Sequence, residues 1–327
     1  VTDKCGLSVA YPAREQPSQL PLRAYSCLQP LPHKNHTHHN NVVPEADFME
    51  PPLVSVIVRT CGRPRVLQNA LRSIQEQDYP NVEAIVVEDG PNVSEKFIRE
   101  RFPDLNVRYF SFGHSQGRCR AGNWGMQQAA GKYLNFLDDD DLLLPNHVSV
   151  LAKRLEASGS LAAYAISEEH QVRKHRNADG AYRIKRKLIR YRQPYNKLLL
   201  CYMNYIPIQS IMFRRTLFEQ YGGLDEELNV LEDWDLWVRY SSHCDFLFVP
   251  ELTSVYHTPY KGKYKHRRES GLHQAEDEVI RKHRQYQITF DAEQINKDMN
   301  YILNVFNRKG FLFYMQKIRN FLLYRDI

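Results

Sequence analysis

Tyr133-Leu134-Asn135-Phe136-Leu137 runs directly into Asp138-Asp139-Asp140-Asp141, which is followed by Leu142-Leu143-Leu144-Pro145. The short, mostly apolar run reads as a buried strand. Four adjacent aspartates repel one another, so on a bare surface they cost stability. A divalent cation with oxygen ligands removes that penalty, and Mg2+ or Mn2+ prefers carboxylates together with diphosphate oxygens. The alternatives are a solvated loop, or aspartate caps on a helix after Pro145. The position directly behind an apolar strand favours the metal.

Upstream of this segment, strand and helix patterns alternate. Leu53 to Val58 is a β-branched apolar run consistent with a buried parallel strand. Cys61-Gly62-Arg63-Pro64 breaks it, and Val66 to Gln77 reads as an amphipathic helix with Leu67, Ala70, Leu71 and Ile74 on one face. Glu83 to Val87 is a second strand, ending in Glu88-Asp89-Gly90. A helix near 93–101, a strand over Val107 to Phe110, a helix over Gly117 to Ala130 and the strand Lys132 to Leu137 complete the series. Such alternation with short links predicts an α/β fold on a mostly parallel sheet. Ligands of open sheets sit at the carboxyl ends of the strands. Those ends carry Thr60 to Arg63, Glu88-Asp89-Gly90 and Asp138 to Asp141, so three polar clusters converge on one rim.

Composition sets the bounds. The 327 residues are 43% hydrophobic and 25% charged, ordinary for a globular chain with a sizeable core. A formal charge of +6 and a pI near 8.9 suit phosphorylated or membrane-surface substrates. With no base-reading motif, nucleic acid is not an expected partner. Six scattered cysteines without paired spacing read as reduced thiols, and no apolar run is long enough to span a membrane. The expectation is a cytoplasmic protein, with the inner face of the membrane as an alternative. Sequons occur at Asn35 and Asn92, but a glycan on Asn92 would obstruct the predicted pocket. The chain opens at Val1 with neither Met nor a signal-peptide pattern, and reads as trimmed or as a piece of a longer protein.

Four motifs in order carry a family resemblance. Phe136 to Pro145 resembles the D-x-D segment of family 2 glycosyltransferases with the GT-A fold. Val54 to Thr60 is similar to that family's first strand, with a nucleotide-contacting loop after it. Val86 to Gly90 resembles the segment whose Asp hydrogen-bonds the base, and Gly117 to Asn123 the helix start before the D-x-D strand. The resemblance covers about residues 53 to 260. It implies a Rossmann-like GT-A domain over 51–260, with a nucleotide-binding half at 51–145 and an acceptor half at 146–260. An extended arm (1–50) precedes it and a helical extension (261–327) follows.

The site implied by the resemblance has two parts. Thr60, Arg63, Asp89, Arg118, Asn123, Asp138 and Asp139 are expected at the nucleotide-sugar donor, with UDP as the expected nucleotide. Asp140 is expected on Mn2+ or Mg2+, with Asp138 near the metal or ribose and Asp139 the most expendable of the run. Arg118 and Arg120 lie two apart and do not share a helical face, so one faces phosphate while the other is solvated. Leu231-Glu232-Asp233-Trp234-Asp235 resembles the family's E-D motif, which implies Asp233 as general base with Glu232 as the alternate. Acids in a first helical turn are also common for dipole reasons alone. Trp234 and Trp237 read either as core or as sugar platforms, Trp234 being the better acceptor platform because it adjoins the base. His257 is either a late metal ligand or a packed histidine.

The implied reaction is inverting transfer of a sugar to an acceptor hydroxyl, in polysaccharide or glycoconjugate synthesis. A nucleotidyltransferase is a rival reading, but the loop after the first strand has one glycine and no lysine. A silent nucleotide-sugar-binding module is another, disfavoured by the two acidic sites. The basic stretches Arg173–Arg192 and Lys261–Arg268 read as solvated loops, or as attractors for an anionic, lipid-linked or glycan acceptor. The aromatic and basic segment Phe311–Tyr324 reads as a packed helix, with membrane docking and homodimerisation as alternatives. In the arm, His33, His36, His38 and His39 read as a solvated polar tract, with metal binding as the alternative.

Overall fold

The computed structural model of the chain describes residues 50–174 and 182–306. The expectations for the arm with its histidines, for Asn35 and for Phe311–Tyr324 lie outside the described residues.

The β-branched run becomes strand β1 (Val54–Thr60), in which all seven residues are buried. It is flanked in parallel by β2 (Val82–Glu88) on one side and β4 (Tyr133–Asp138) on the other, and β3 (Val107–Ser111) pairs in parallel with β2. Both faces of β1, β2 and β4 are covered, so their sequences are mostly apolar instead of alternating. On one face, helix α1 (Pro64–Gln75) buries Leu67, Ala70, Leu71 and Ile74 against Val56, Val58, Ala84 and Val86. Helix α2 (Glu95–Arg101) adds Ile98 to that cluster. Ile57, Ile85 and Val87 point the other way, toward helix α3 (Arg118–Gln128). That helix lies close to the sheet because Gly125 faces it: a Cβ there would stand 2.4 Å from Ile57 Cγ2.

Beyond β4 the sheet becomes mixed. The two-residue β5 (Leu142–Leu143) leads into α4 (His147–Ser158) and the long β6 (Ala162–Lys174). Then come β7 (Tyr182–Leu188), α5 (Lys197–Leu200), a 3-10 turn at Ile208–Ser210, β8 (Ile211–Arg214), α6 (Arg215–Tyr221), α7 (Glu232–Ser241) and β9 (Phe246–Pro259). The order across the sheet is β3-β2-β1-β4-β8-β6-β9-β5, with β7 added to β6. Two of these pairings shape the site. The β4–β8 contact joins the two halves, and antiparallel β5–β9 pairing sets Leu142 opposite Val255, bringing His257 beside the acidic run.

Part of the basic stretch expected as a solvated loop is instead a strand. Arg183 to Lys187 of β7 are all exposed, so their charges face water while the backbone pairs with β6. Cations on an edge strand also discourage pairing with other chains. Helices α8 (Lys263–His283) and α9 (Ala292–Phe306) follow, and α8 takes up most of the second basic stretch. Val279 of α8 and Ile302 of α9 are buried in the same core as Trp234, Trp237 and Tyr240 of α7. Among the described residues no helix is long and apolar enough to cross a membrane.

Candidate active site

The strand ends converge as the sequence predicts, and they are tied together by charge. Asp138, at the tip of β4, accepts from Arg59 Nε at 2.8 Å and from Arg118 Nη2 at 2.9 Å. Glu232, the first residue of α7, accepts from Arg59 Nη1 at 2.9 Å and faces Arg118 Nε at 3.0 Å. Two guanidiniums and two carboxylates therefore form a neutral, four-membered set linking β1, α3, β4 and α7. Arg59 is 5% exposed; burial works against its charge, but Asp138 and Glu232 outweigh it and hold the guanidinium protonated. Asp138 is 20% exposed; burial opposes its ionisation, yet Arg59 and Arg118 keep its carboxyl below the usual range. A lone arginine closing the apolar run Val54–Val58 was the sequence signal for this set. It carried no indication of the partners.

Asp139 overturns one expectation. Its side chain is fully buried and accepts from Thr60 Oγ1 at 2.7 Å, from Arg63 Nε at 3.0 Å and from Arg63 Nη2. Burial pushes its carboxyl up to about 7, against the pull of Arg63. It anchors the loop after β1 to the tip of β4 and is far from expendable. The Thr60 hydroxyl is committed to that anchor. Arg63 remains 40% exposed, with Nη1 3.5 Å from Asp140, so it can also face a phosphate.

The residues expected at a metal are Asp140, Asp138 and His257. Asp140 is 34% exposed on its side chain. Asp141 is buried, accepts from the His257 amide at 2.8 Å, and is pushed up to about 6 by burial. The His257 ring donates from Nδ1 to the Asp140 carbonyl. A carbonyl can only accept, so Nδ1 carries the proton and Nε2 of the neutral ring keeps its lone pair. Burial opposes protonation of His257, but Asp141 and Asp140 raise its pKa. Among the described residues no three His, Cys, Asp or Glu side chains are clustered to hold a metal. Asp138, expected as a ligand, has both oxygens engaged by arginines. What remains is one carboxylate beside one imidazole, a donor set that fits Mn2+ or Mg2+ when diphosphate oxygens supply the other positions. Tyr182, which the sequence did not single out, stacks on His257 with centroids 5.4 Å apart.

At the end of β2 the acids organise loops. Asp89 accepts from Ser115 Oγ at 2.9 Å and from the amides of Gln116 and Gly117. Gly117 sits at φ +101°, where a side chain would be strained, and it turns the chain into α3. Glu88 is fully buried and accepts from the amides of Gly62, Val93 and Ser94 and from the Tyr109 hydroxyl. Asn123 is corrected from a donor contact to a clasp. Its Nδ2 donates to Leu224 O at 2.9 Å and to Glu226 at 3.0 Å, and its Oδ1 accepts from Leu224 N at 2.7 Å. Both amide hydrogens are used within this clasp, so Asn123 has no side-chain donor left for a nucleotide.

On the acceptor side, Leu231 is the only described non-glycine residue with positive φ, at 61°, and it sets the entry of α7. Asp233 Oδ1 accepts from the Trp234 amide at 2.8 Å and from Asn204 Nδ2 at 3.1 Å. Oδ2 accepts from no group among the described residues. Burial, then the neighbouring Glu232 charge, push Asp233 up to about 6. Glu232 is held between Arg59 and Arg118. Trp234 is corrected from platform to core. It is 1% exposed and its indole N–H donates to Leu200 O at 2.6 Å. One residue on a helix is about 100° of rotation, enough to turn Trp234 inward while Asp233 stays half-buried.

Comparison with known proteins places this geometry. The family model described as Glycosyl transferase family 2 matches residues 55–222. The uncharacterized glycosyltransferase YwdF of Bacillus subtilis is 28% identical over 204 residues, covering 62% of this chain and 73% of its own. A GalNAc(5)-diNAcBac-PP-undecaprenol beta-1,3-glucosyltransferase of Campylobacter jejuni is 37% identical over 106 residues, 32% of this chain and 34% of its own. Among solved structures, S. aureus TarS 1-349 superposes with a TM-score of 0.55 at 17% identity, covering 83% of this chain and 79% of that one. The Pyrobaculum calidifontis mannosyltransferase PcManGT, in complex with GDP-Man and Mn2+, gives 0.54 at 18% identity, with 83% and 74% covered. These two likenesses are to the GT-A fold. With a model match over half its length and the strand-end site in place, the chain belongs to glycosyl transferase family 2.

Proposed function

We propose that the chain transfers a sugar with inversion from a nucleoside diphosphate donor, UDP-linked, to an acceptor hydroxyl, with Asp233 as general base. The observation that carries this is the asymmetric carboxylate of Asp233. One oxygen is pinned by two donors, the other is open, and the pKa is raised to about 6, where a base is both ionised and able to take a proton. Oδ2 accepts the acceptor proton as the hydroxyl oxygen bonds to the anomeric carbon. The bond from that carbon to the diphosphate breaks, and the electron pair leaves with the diphosphate. Arg63 and Arg118, both partly exposed at the rim, draw the diphosphate in and offset its charge. Asp140 and His257 would hold a divalent cation, which would supply positive charge to stabilise the leaving diphosphate. Asp89, by fixing the loop 115–117, shapes the nucleoside end.

The Campylobacter relative is named for a polyprenyl-diphosphate-linked substrate, which supports a lipid-linked glycan as the acceptor class here and a role in glycoconjugate synthesis. Family membership speaks against the nucleotidyltransferase alternative, and the intact carboxylates against a silent binding module. The test is Asp233→Asn assayed for nucleoside diphosphate release with UDP-sugars and Mn2+. Turnover should fall about 100- to 10,000-fold while donor binding persists. Normal turnover in that variant overturns the assignment.

A further inference from the structure

Asn204 lies in the loop between α5 and the 3-10 turn and is one of the two donors to Asp233 Oδ1. Its Nδ2 donates to Asp233 Oδ1 at 3.1 Å, while its own Oδ1 is buried and has no hydrogen-bond partner. Buried amide oxygens without a partner are uncommon and call for a reason. Turning the amide over would set its carbonyl against the carboxylate of Asp233, acceptor against acceptor. The orientation is thus dictated by Asp233, at the expense of the other end of the amide.

The surroundings hold both residues still. Tyr205, next to Asn204, is 1% exposed, and its hydroxyl accepts from the Asn196 amide and donates to the Asn196 carbonyl. The amides of Tyr202 and Met203 donate to Leu199 O. The Trp234 indole bonds Leu200 O, so the residue after Asp233 is fastened to the helix that opens this same loop. The Asn204–Asp233 contact is a short bridge between two fixed points, the arrangement that pre-organises a reacting group.

We propose that Asn204 is a positioning residue for sugar transfer, holding Oδ1 of Asp233 so that Oδ2 is the oxygen presented to the acceptor hydroxyl. This rests on the reading of Asp233 as the base. The charged groups facing Asp233 are Glu232, which raises its pKa, and Arg118, which lowers it; the Asn204 bond also favours the ionised form.

Asn204→Ala deletes the donor, and Asn204→Asp keeps the shape but presents a carboxylate. With UDP-glucose and UDP-GlcNAc, Mn2+, and water as the acceptor, both variants should lower kcat about 10- to 100-fold and leave donor KM unchanged. The acidic limb of the pH profile should move upward by about one unit in Asn204→Ala. Melting temperature should change by less than about 4 °C in Asn204→Ala, because the lost hydrogen bond is offset by removal of an unpaired buried carbonyl. Unchanged kcat, or a fall in kcat accompanied by a larger fall in melting temperature, overturns the proposal. The Asp233 carboxyl titration followed by carbon NMR, assigned with Asp233→Asn, needs no turnover; an unshifted titration in Asn204→Ala also overturns it. An active Asp233→Asn defeats the base reading itself. A silent Asp233→Asn beside a fully active Asn204→Ala defeats only the present inference.

Discussion

Replacing Glu232 by Gln removes one negative charge from the set formed with Arg59, Arg118 and Asp138, and leaves the shape nearly unchanged. In the parent the charges cancel, and Arg59, Asp138 and Glu232 are 5%, 20% and 4% exposed. The variant keeps a surplus positive charge where water does not reach Arg59. Removing one partner of a buried pair costs about 3–5 kcal/mol. Two features reduce that figure. The Gln oxygen still accepts from Arg59, and Arg118, 45% exposed, can turn toward solvent. The expected loss is about 2–3 kcal/mol, or a melting temperature lower by about 4–12 °C for a domain of this size. Calorimetry measures it directly. With Asp233 as the proposed base and Glu232 placing Arg59 and Arg118, donor turnover should stay measurable, unlike that of Asp233→Asn. A melting temperature within about 1 °C of the parent refutes the buried-network argument. Turnover as low as in Asp233→Asn, with stability intact, would make Glu232 the base.

Transfer should depend on the ionisation of Asp233 near pH 6, falling about tenfold per unit below it. Stability runs the other way. The folded pKa is raised, so this residue's stabilising contribution is complete below the ordinary carboxylate range and is lost as pH rises through about 6. A pH–rate profile flat down to pH 4 would contradict the first statement. Asp140→Ala should change stability by less than about 1 kcal/mol, since its carboxylate is partly exposed, but raise the Mn2+ concentration for half-maximal turnover about tenfold or more. An unchanged Mn2+ requirement removes Asp140 from the metal site. Gly125→Ala sets a Cβ 2.4 Å from Ile57 Cγ2 in the core, and should cost about 1–3 kcal/mol in chemical denaturation. A neutral result refutes the close packing of α3 on β1.

The elements up to residue 138 were legible because each has a strong local period. β1, β2 and β4 are continuous apolar runs, and α1 repeats its apolar face every three or four residues. The second half was harder to read. β7 carries four cations in seven residues, and nothing local distinguishes an exposed edge strand from a charged loop. β8 is only four residues long and is defined by its neighbours β4 and β6.

For the site, the sequence alone located the three strand ends, the acidic run and the Glu232-Asp233 pair, because carboxylates interrupting apolar patterns are visible in one dimension. Which carboxylate does what was decided by tertiary structure. Four consecutive aspartates look equivalent on paper, yet Asp139 is sealed under Thr60 and Arg63, Asp138 is neutralised by two arginines, and Asp140 keeps a partly exposed carboxylate while its carbonyl accepts from the His257 ring of β9. Trp234 and Asp233 are adjacent in sequence but one is buried and the other only partly so, since a helix turns about 100° per residue. The partners Arg59 and Asn204 lie 173 and 29 residues from the acids they hold. Burial and hydrogen bonding set the charge and aim of each group, and both are properties of the surroundings that only the folded chain assembles.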